Sequence, residues 1–160
     1  MNSKLIVGIA DMKMARDEGM LITYALGSCV GICLYDPLIR LAALVHVMLP
    51  LNMETGRRTP LKYADTGIRE TLKQMEGKGA LRSRIVAKIA GGAKMFDVPG
   101  GGNLGNIGQR NIESTHLVLR KEGIRLLRED VGGSTARTLL FDAASGQACV
   151  RSYGKPELIF

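Results

Sequence analysis

Val30-Gly-Ile-Cys-Leu-Tyr-Asp-Pro-Leu-Ile-Arg-Leu-Ala-Ala-Leu-Val-His-Val-Met-Leu49 holds the decisive pattern: two apolar runs on either side of Asp36-Pro37. Aspartate at the first position of a turn accepts hydrogen bonds from the backbone ahead of it, and proline at the second has its φ already set. The runs 30–35 and 41–49 therefore read as an antiparallel hairpin. Outward from it, strands are expected at residues 4–9, 20–26, 84–90, 124–129, 137–141 and 148–153, with a turn at 143–146. Residues 51–58 read as a loop. Thr59-Pro60 is expected to open a helix whose apolar stripe is Leu61, Ala64, Ile68, Leu72 and Met75, ended by Gly77 or Gly79. A second helix is expected over 110–122, stopped by Gly123. Hairpins with two helices between them predict an α+β fold, a mixed and largely antiparallel sheet or sandwich, and lack the regular β-α-β alternation of a doubly wound sheet.

The chain has 160 residues, 46% hydrophobic and 23% charged, enough for one core and one domain over 1–160. It contains no apolar run of the roughly 20 residues that a membrane-spanning helix needs and no signal-peptide pattern at the start, so a cytoplasmic protein without membrane insertion is expected. Cys29, Cys33 and Cys149 are an odd set of thiols without a CxxC pair, and His46 and His116 show no ligand spacing. Neither a disulfide nor a metal is expected, and no motif calls for a cofactor. A net charge of +7 favours an acidic partner, but three phenylalanines, four tyrosines and no tryptophan offer little stacking surface for bases. An acidic protein surface fits better than nucleic acid.

In Leu26-Gly27-Ser28-Cys29-Val30 a thiol follows a glycine and a small polar residue at a junction of two strands. Such a junction exposes a nucleophile and turns backbone N–H groups, here those of Gly27 and Ser28, toward a developing oxyanion. Taken alone, a cysteine among valine, isoleucine and leucine is ordinarily a small buried hydrophobe. His46 changes the balance. If the turn spans 36–39, residue 35 faces 40 and Cys29 faces His46, and a turn set one residue later makes the two diagonal neighbours. A histidine in an apolar strand is otherwise a core residue satisfied by a backbone group. Paired with Cys29, its imidazolium is expected to stabilise the thiolate and bring the thiol pKa down toward neutrality. A third group must fix its tautomer: Thr23 on the preceding strand is the first choice, with Ser28 and Asp36 as competitors.

These residues resemble a known family. Thr23, Leu26-Gly-Ser-Cys-Val30 and His46-Val-Met-Leu-Pro50 are similar to the chemoreceptor glutamine deamidases, the CheD family. The likeness continues in Lys62-Tyr-Ala-Asp-Thr66, Lys88-Ile-Ala-Gly-Gly-Ala-Lys-Met-Phe96, Asn106-Ile-Gly-Gln-Arg-Asn111 and Glu129-Asp-Val-Gly-Gly133. The resemblance implies a catalytic Cys29, His46 and Thr23 and a fold like that of other cysteine-dependent deamidases, including bacterial toxins. It implies conversion of receptor glutamines to glutamate through a thioester, with chemoreceptor cytoplasmic domains and the CheC phosphatase as partners. An adaptor that regulates CheC through the same surface is the alternative.

Other features carry less. Gly100-Gly-Gly-Asn-Leu-Gly-Asn-Ile-Gly108 lacks the ending of a nucleotide loop and reads as a surface loop that helps shape the cleft. Gln109, Arg110 and Asn111 receive no chemistry. Cys33 and Cys149 are expected in the core, and His116 in packing or at the surface.

Overall fold

A computed structural model of the protein describes residues 3–52, 59–95 and 106–160. The strands are β1 (Lys4–Ile6), β2 (Asp11–Arg16), β3 (Met20–Leu26), β4 (Val30–Asp36), β5 (Leu41–Val47), β6 (Val86–Gly91), β7 (Arg125–Val131), β8 (Arg137–Asp142), β9 (Ala148–Arg151) and β10 (Leu158–Ile159). The helices are α1 (Ala64–Gly77) and α2 (Ile107–Lys121). The strands form two five-stranded sheets, ordered β1-β3-β8-β9-β10 and β2-β5-β4-β6-β7. Among the strands of the described residues, the β1–β3 and β6–β7 pairings are parallel and the others antiparallel. The α+β expectation, largely antiparallel with two helices, holds. No helix among the described residues is long and apolar enough to cross a membrane.

The sequence 30–47 is apolar in both phases of the strand repeat because the second sheet is covered on both faces. Val30, Ile32, Leu34, Ala43, Val45 and Val47 face Ile68, Leu72 and Met75 of α1 and Ile112 and Leu119 of α2. The alternate residues Cys33, Tyr35, Ala42 and Leu44 face Leu21, Leu139 and Phe141 of the first sheet. Three layers result: sheet, sheet, helices.

The hairpin turn lies one residue later than the first of the two registers: Asp36 pairs with Leu41 and Gly31 with His46. Asp36, fully buried, accepts hydrogen bonds from the Leu38 and Leu81 N–H groups and from Nε and Nη2 of Arg84, the last at 2.8 Å. Burial alone would raise its pKa, yet the Arg84 guanidinium and the two amides outweigh burial and hold the carboxyl below its usual range.

Several local expectations are corrected. β1 ends at Ile6 rather than at residue 9, and β2 and β10 were not foreseen. β2 carries Asp11, Lys13 and Arg16 on a half-exposed strand along the free side of β5, where charge is tolerated. Thr59 caps nothing with its side chain, and Pro60–Lys62 is a 3-10 turn, with α1 starting only at Ala64. Asp65, in the first turn of α1, accepts from the Thr66 N–H and from the Asn52 N–H of the preceding segment. Residues 53–58 of the expected loop, and 100–105 of the glycine-rich stretch, lie outside the described residues.

Candidate functional site

The site forms where the chain crosses from the first sheet to the second. β3 follows its ladder with β8 through Thr23 and then bulges, with Ala25 at φ 57° and the pairing resumed at Leu26. A bulge of this kind bends the strand out of its sheet. The next residues join the second sheet: Gly92 N–H donates to the Cys29 carbonyl and Ala93 N–H to that of Gly27, both at 2.8 Å. This contact tolerates no side chain. A Cβ on Gly91, whose φ is +117°, would stand 2.2 Å from the Cys29 carbonyl oxygen. Gly108 of α2 packs as closely on the other side, where a Cβ would stand 2.6 Å from the carbonyl oxygens of Gly92 and Ala93.

Thr23 and His46 meet across the gap between the sheets. Thr23 Oγ1 lies 2.7 Å from His46 Nδ1 and 2.7 Å from the Val7 carbonyl oxygen, and both side chains are buried. The carbonyl can only accept, so the hydroxyl proton goes to Val7 and Nδ1 must donate to Thr23. His46 is thereby fixed as the Nδ1–H tautomer. Its Nε2 keeps a bare lone pair, sealed from solvent and without a hydrogen-bond partner among the described residues.

Cys29 sits one step before β4 begins. Continuing the β4–β5 register makes His46 its diagonal neighbour, on the face that packs against the first sheet, and Cys29 lies half-buried against that layer. The sulfur and the imidazole thus share one side of the sheet. The electrostatics differ from the expected ion pair. Burial pushes the Cys29 thiol up, its own backbone N–H opposing in part. Burial also pulls His46 down to about 4, against a weaker opposite pull from Asp11. At neutral pH the resting groups are a thiol and a neutral imidazole.

The remaining candidates separate clearly. Asp36 is ruled out as the orienting group because it is bound to Arg84 at the far end of the hairpin. The Gly27 N–H is already given to the Ala25 carbonyl, so it is not free for an oxyanion. The Cys29 N–H lies near its own sulfur and in part opposes the effect of burial on the thiol. Ser28 is tied by its carbonyl to Asn111 Nδ2 at 2.8 Å. Cys33 is fully buried and its thiol is raised strongly by burial. Cys149 is only partly buried, near Arg151 and Glu157. His116 pairs with Glu129 on the surface. A cavity of about 320 Å³ does open between the sheets, but it is lined by Tyr35, Pro37, Lys88 and Gly146 near the hairpin turn, the end opposite Cys29. Thr23, Cys29 and His46 are not among the residues that line it. Among the described residues no group of three or more His, Cys, Asp or Glu side chains could hold a metal ion.

Comparison with known proteins places the chain in a family. The chain is 45% identical to a probable chemoreceptor glutamine deamidase CheD of Desulforamulus reducens over 156 residues, covering 97% of this chain and 94% of that protein. It is 45% identical to the protein of the same name from Syntrophomonas wolfei over 159 residues, covering 98% and 99% of the two chains. A third, from Moorella thermoacetica, is 46% identical over 94% of this chain and 91% of its own. The family model described as CheD chemotactic sensory transduction matches residues 48–152.

The chain belongs to the CheD family.

The CheD family match starts two residues after His46, so it takes in β6, α2 and the strands behind them but neither Thr23, Cys29 nor His46. The CheD relatives cover that N-terminal part as well. Asn111 is the residue that sequence reasoning passed over. It stood in a family-like string without a role, and only the fold reveals that α2 brings it under the crossing strand.

Proposed function

We propose that this CheD protein deamidates glutamine side chains of chemoreceptor cytoplasmic domains, with Cys29 as nucleophile and His46 as general base and acid. The observation that carries the reading is the bare, buried Nε2 of a histidine whose other nitrogen is locked to Thr23. Leaving a buried acceptor unpaired costs about 1–3 kcal/mol, and a proton arriving during reaction makes that cost intelligible. The names of the CheD relatives supply the substrate class.

The neutral resting pair sets the order of events. As Cys29 Sγ bonds to the glutamine carboxamide carbon, its proton passes to His46 Nε2, and the imidazolium so formed is held by Nδ1–H to Thr23. The carbonyl π electrons move onto oxygen, which the Cys29 and Ser28 N–H groups receive. His46 then returns the proton to the nitrogen, the C–N bond breaks and ammonia leaves, giving a thioester. A water molecule loses a proton to the same Nε2 and attacks the thioester carbon; the C–S bond breaks, the proton returns to sulfur, and glutamate is released. Each positioned proton transfer contributes on the order of 10²–10⁴ in rate.

Incubation with a receptor cytoplasmic fragment tests the proposal. Wild-type protein should release ammonia and add about one dalton per converted glutamine, while Cys29→Ala does neither. Ammonia release by Cys29→Ala at the wild-type rate defeats it.

A further inference from the structure

The β4–β5 ladder stops at Val30 and Val47, although its register would carry on to pair Cys29 with Met48 and Ser28 with Leu49. The two strands part there because each finds another partner. Met48 and Leu49 donate their N–H groups to the Lys62 carbonyl, and the Cys29 and Gly27 carbonyls turn to Gly92 and Ala93. Parting strands leave facing carbonyls without donors. One side chain fills the fork. Asn111, fully buried on α2, gives one Nδ2 proton to the Ser28 carbonyl at 2.8 Å and the other to the Met48 carbonyl at 3.1 Å. An amide oxygen could make neither bond, so its orientation is determined. Its Oδ1 is buried with no partner among the described residues.

We propose that Asn111 is a positioning residue that sets the separation of Cys29 from His46 by clamping the residue before the first to the second residue after the other. It touches no reacting atom; it acts through the two carbonyls, fixing the spread of the fork on whose two arms Cys29 and His46 stand. Its backbone is fixed in turn, since Thr115 Oγ1 donates to the Asn111 carbonyl, and α2 cannot slide because Gly108 is packed against Gly92 and Ala93. Ser114, on the same helix, donates to the Pro50 carbonyl at 2.6 Å but makes no link to the Cys29 side of the fork. It provides the control.

The inference rests on the deamidase reading for its consequence in turnover, but not for its geometric test. Alkylation of Cys29 by iodoacetamide, followed by mass spectrometry of its peptide between pH 5.5 and 8, defines a base-assisted component as the rate lost in His46→Gln. Asn111→Ala should lose at least five-fold of that component and lower kcat on receptor fragment about 10–100-fold with KM within two-fold, since substrate contacts are untouched. Ser114→Ala should keep both within two-fold. Should Asn111→Ala fail to fold, Asn111→Ser, which restores one donor, must show the same split. Retention of the assisted component and of kcat by the folded Asn111 variant overturns the proposal, as does an equal loss in Ser114→Ala. Should Cys29→Ala still release ammonia, the enzymatic reading falls while the alkylation comparison still decides the role of Asn111.

Discussion

The two ends of the β4–β5 hairpin are built from the same kind of sequence and treat their buried polar groups in opposite ways. At the closed end Asp36 is surrounded by Arg84 and two backbone amides, each donating to its carboxylate. At the open end His46 Nε2 and Asn111 Oδ1 are both left unpaired, and they are the buried side-chain atoms without partners among the described residues. The closed end spends its polar groups on stability; the open end withholds a lone pair from the fold, on the face of the sheet that Cys29 shares. Cys33 and Cys29, four residues apart, follow the same division: one is sealed in the core, the other half-exposed at the chain crossing.

The contrast can be broken most forcefully at the open end. Cys29→Ala should remove turnover by at least about 10⁴-fold while leaving the thermal midpoint within a few degrees, because a half-buried thiol contributes little packing. Midpoint and ammonia release measured together check both halves. Thr23→Val keeps the shape but removes the acceptor for Nδ1–H; kcat should fall on the order of 10²-fold as the tautomer is freed, as single-turnover kinetics will show.

Stability should respond at both ends, for different reasons. Asp36→Asn leaves Arg84, which is partly exposed, without its carboxylate and should cost about 2–3 kcal/mol in urea unfolding, with activity per folded molecule unchanged. His46 gives a comparable effect through pH. Its folded pKa of about 4 lies below the ordinary 6.5, so the unfolded chain binds the proton more readily. The stabilising contribution is complete above about pH 6.5 and is lost as pH falls toward 4, by roughly 2–4 kcal/mol. Urea midpoints at pH 7 and 4.5 should diverge in wild type and converge in His46→Gln. The smallest effect belongs to Cys33→Ala, which removes one buried sulfur, about 1 kcal/mol, and leaves turnover intact.

Much of this contrast was legible in the residues. The apolar 30–47 segment with Asp36-Pro37 announced the hairpin, and β3 falls over the expected 20–26. Cys29 and His46 could be singled out because the hairpin sets them opposite or diagonal to each other, while Thr23 was a weak choice by spacing and the set of three rested on the family resemblance. Register could not be read, since two turn placements fit the same letters and only packing against the helices and the first sheet selects between them. β2 was hidden by its charges, and β10 by its length of two residues. The protonation states were beyond the sequence because they follow from burial: a thiol and an imidazole both desolvated stay neutral, whereas the motif alone suggested an ion pair. Asn111 was invisible for a similar reason, its role lying in a fork that exists only once α2 has docked.

The central claim, a neutral His46 with its proton on Nδ1 and a bare Nε2, is open to direct observation by ¹⁵N NMR of histidine-labelled protein at pH 7. The spectrum has only two imidazoles, and His46→Gln identifies the resonances of this one. The account predicts a protonated Nδ1 and an unprotonated, pyridine-like Nε2. Protonation of both nitrogens, or the proton on Nε2 alone, contradicts it.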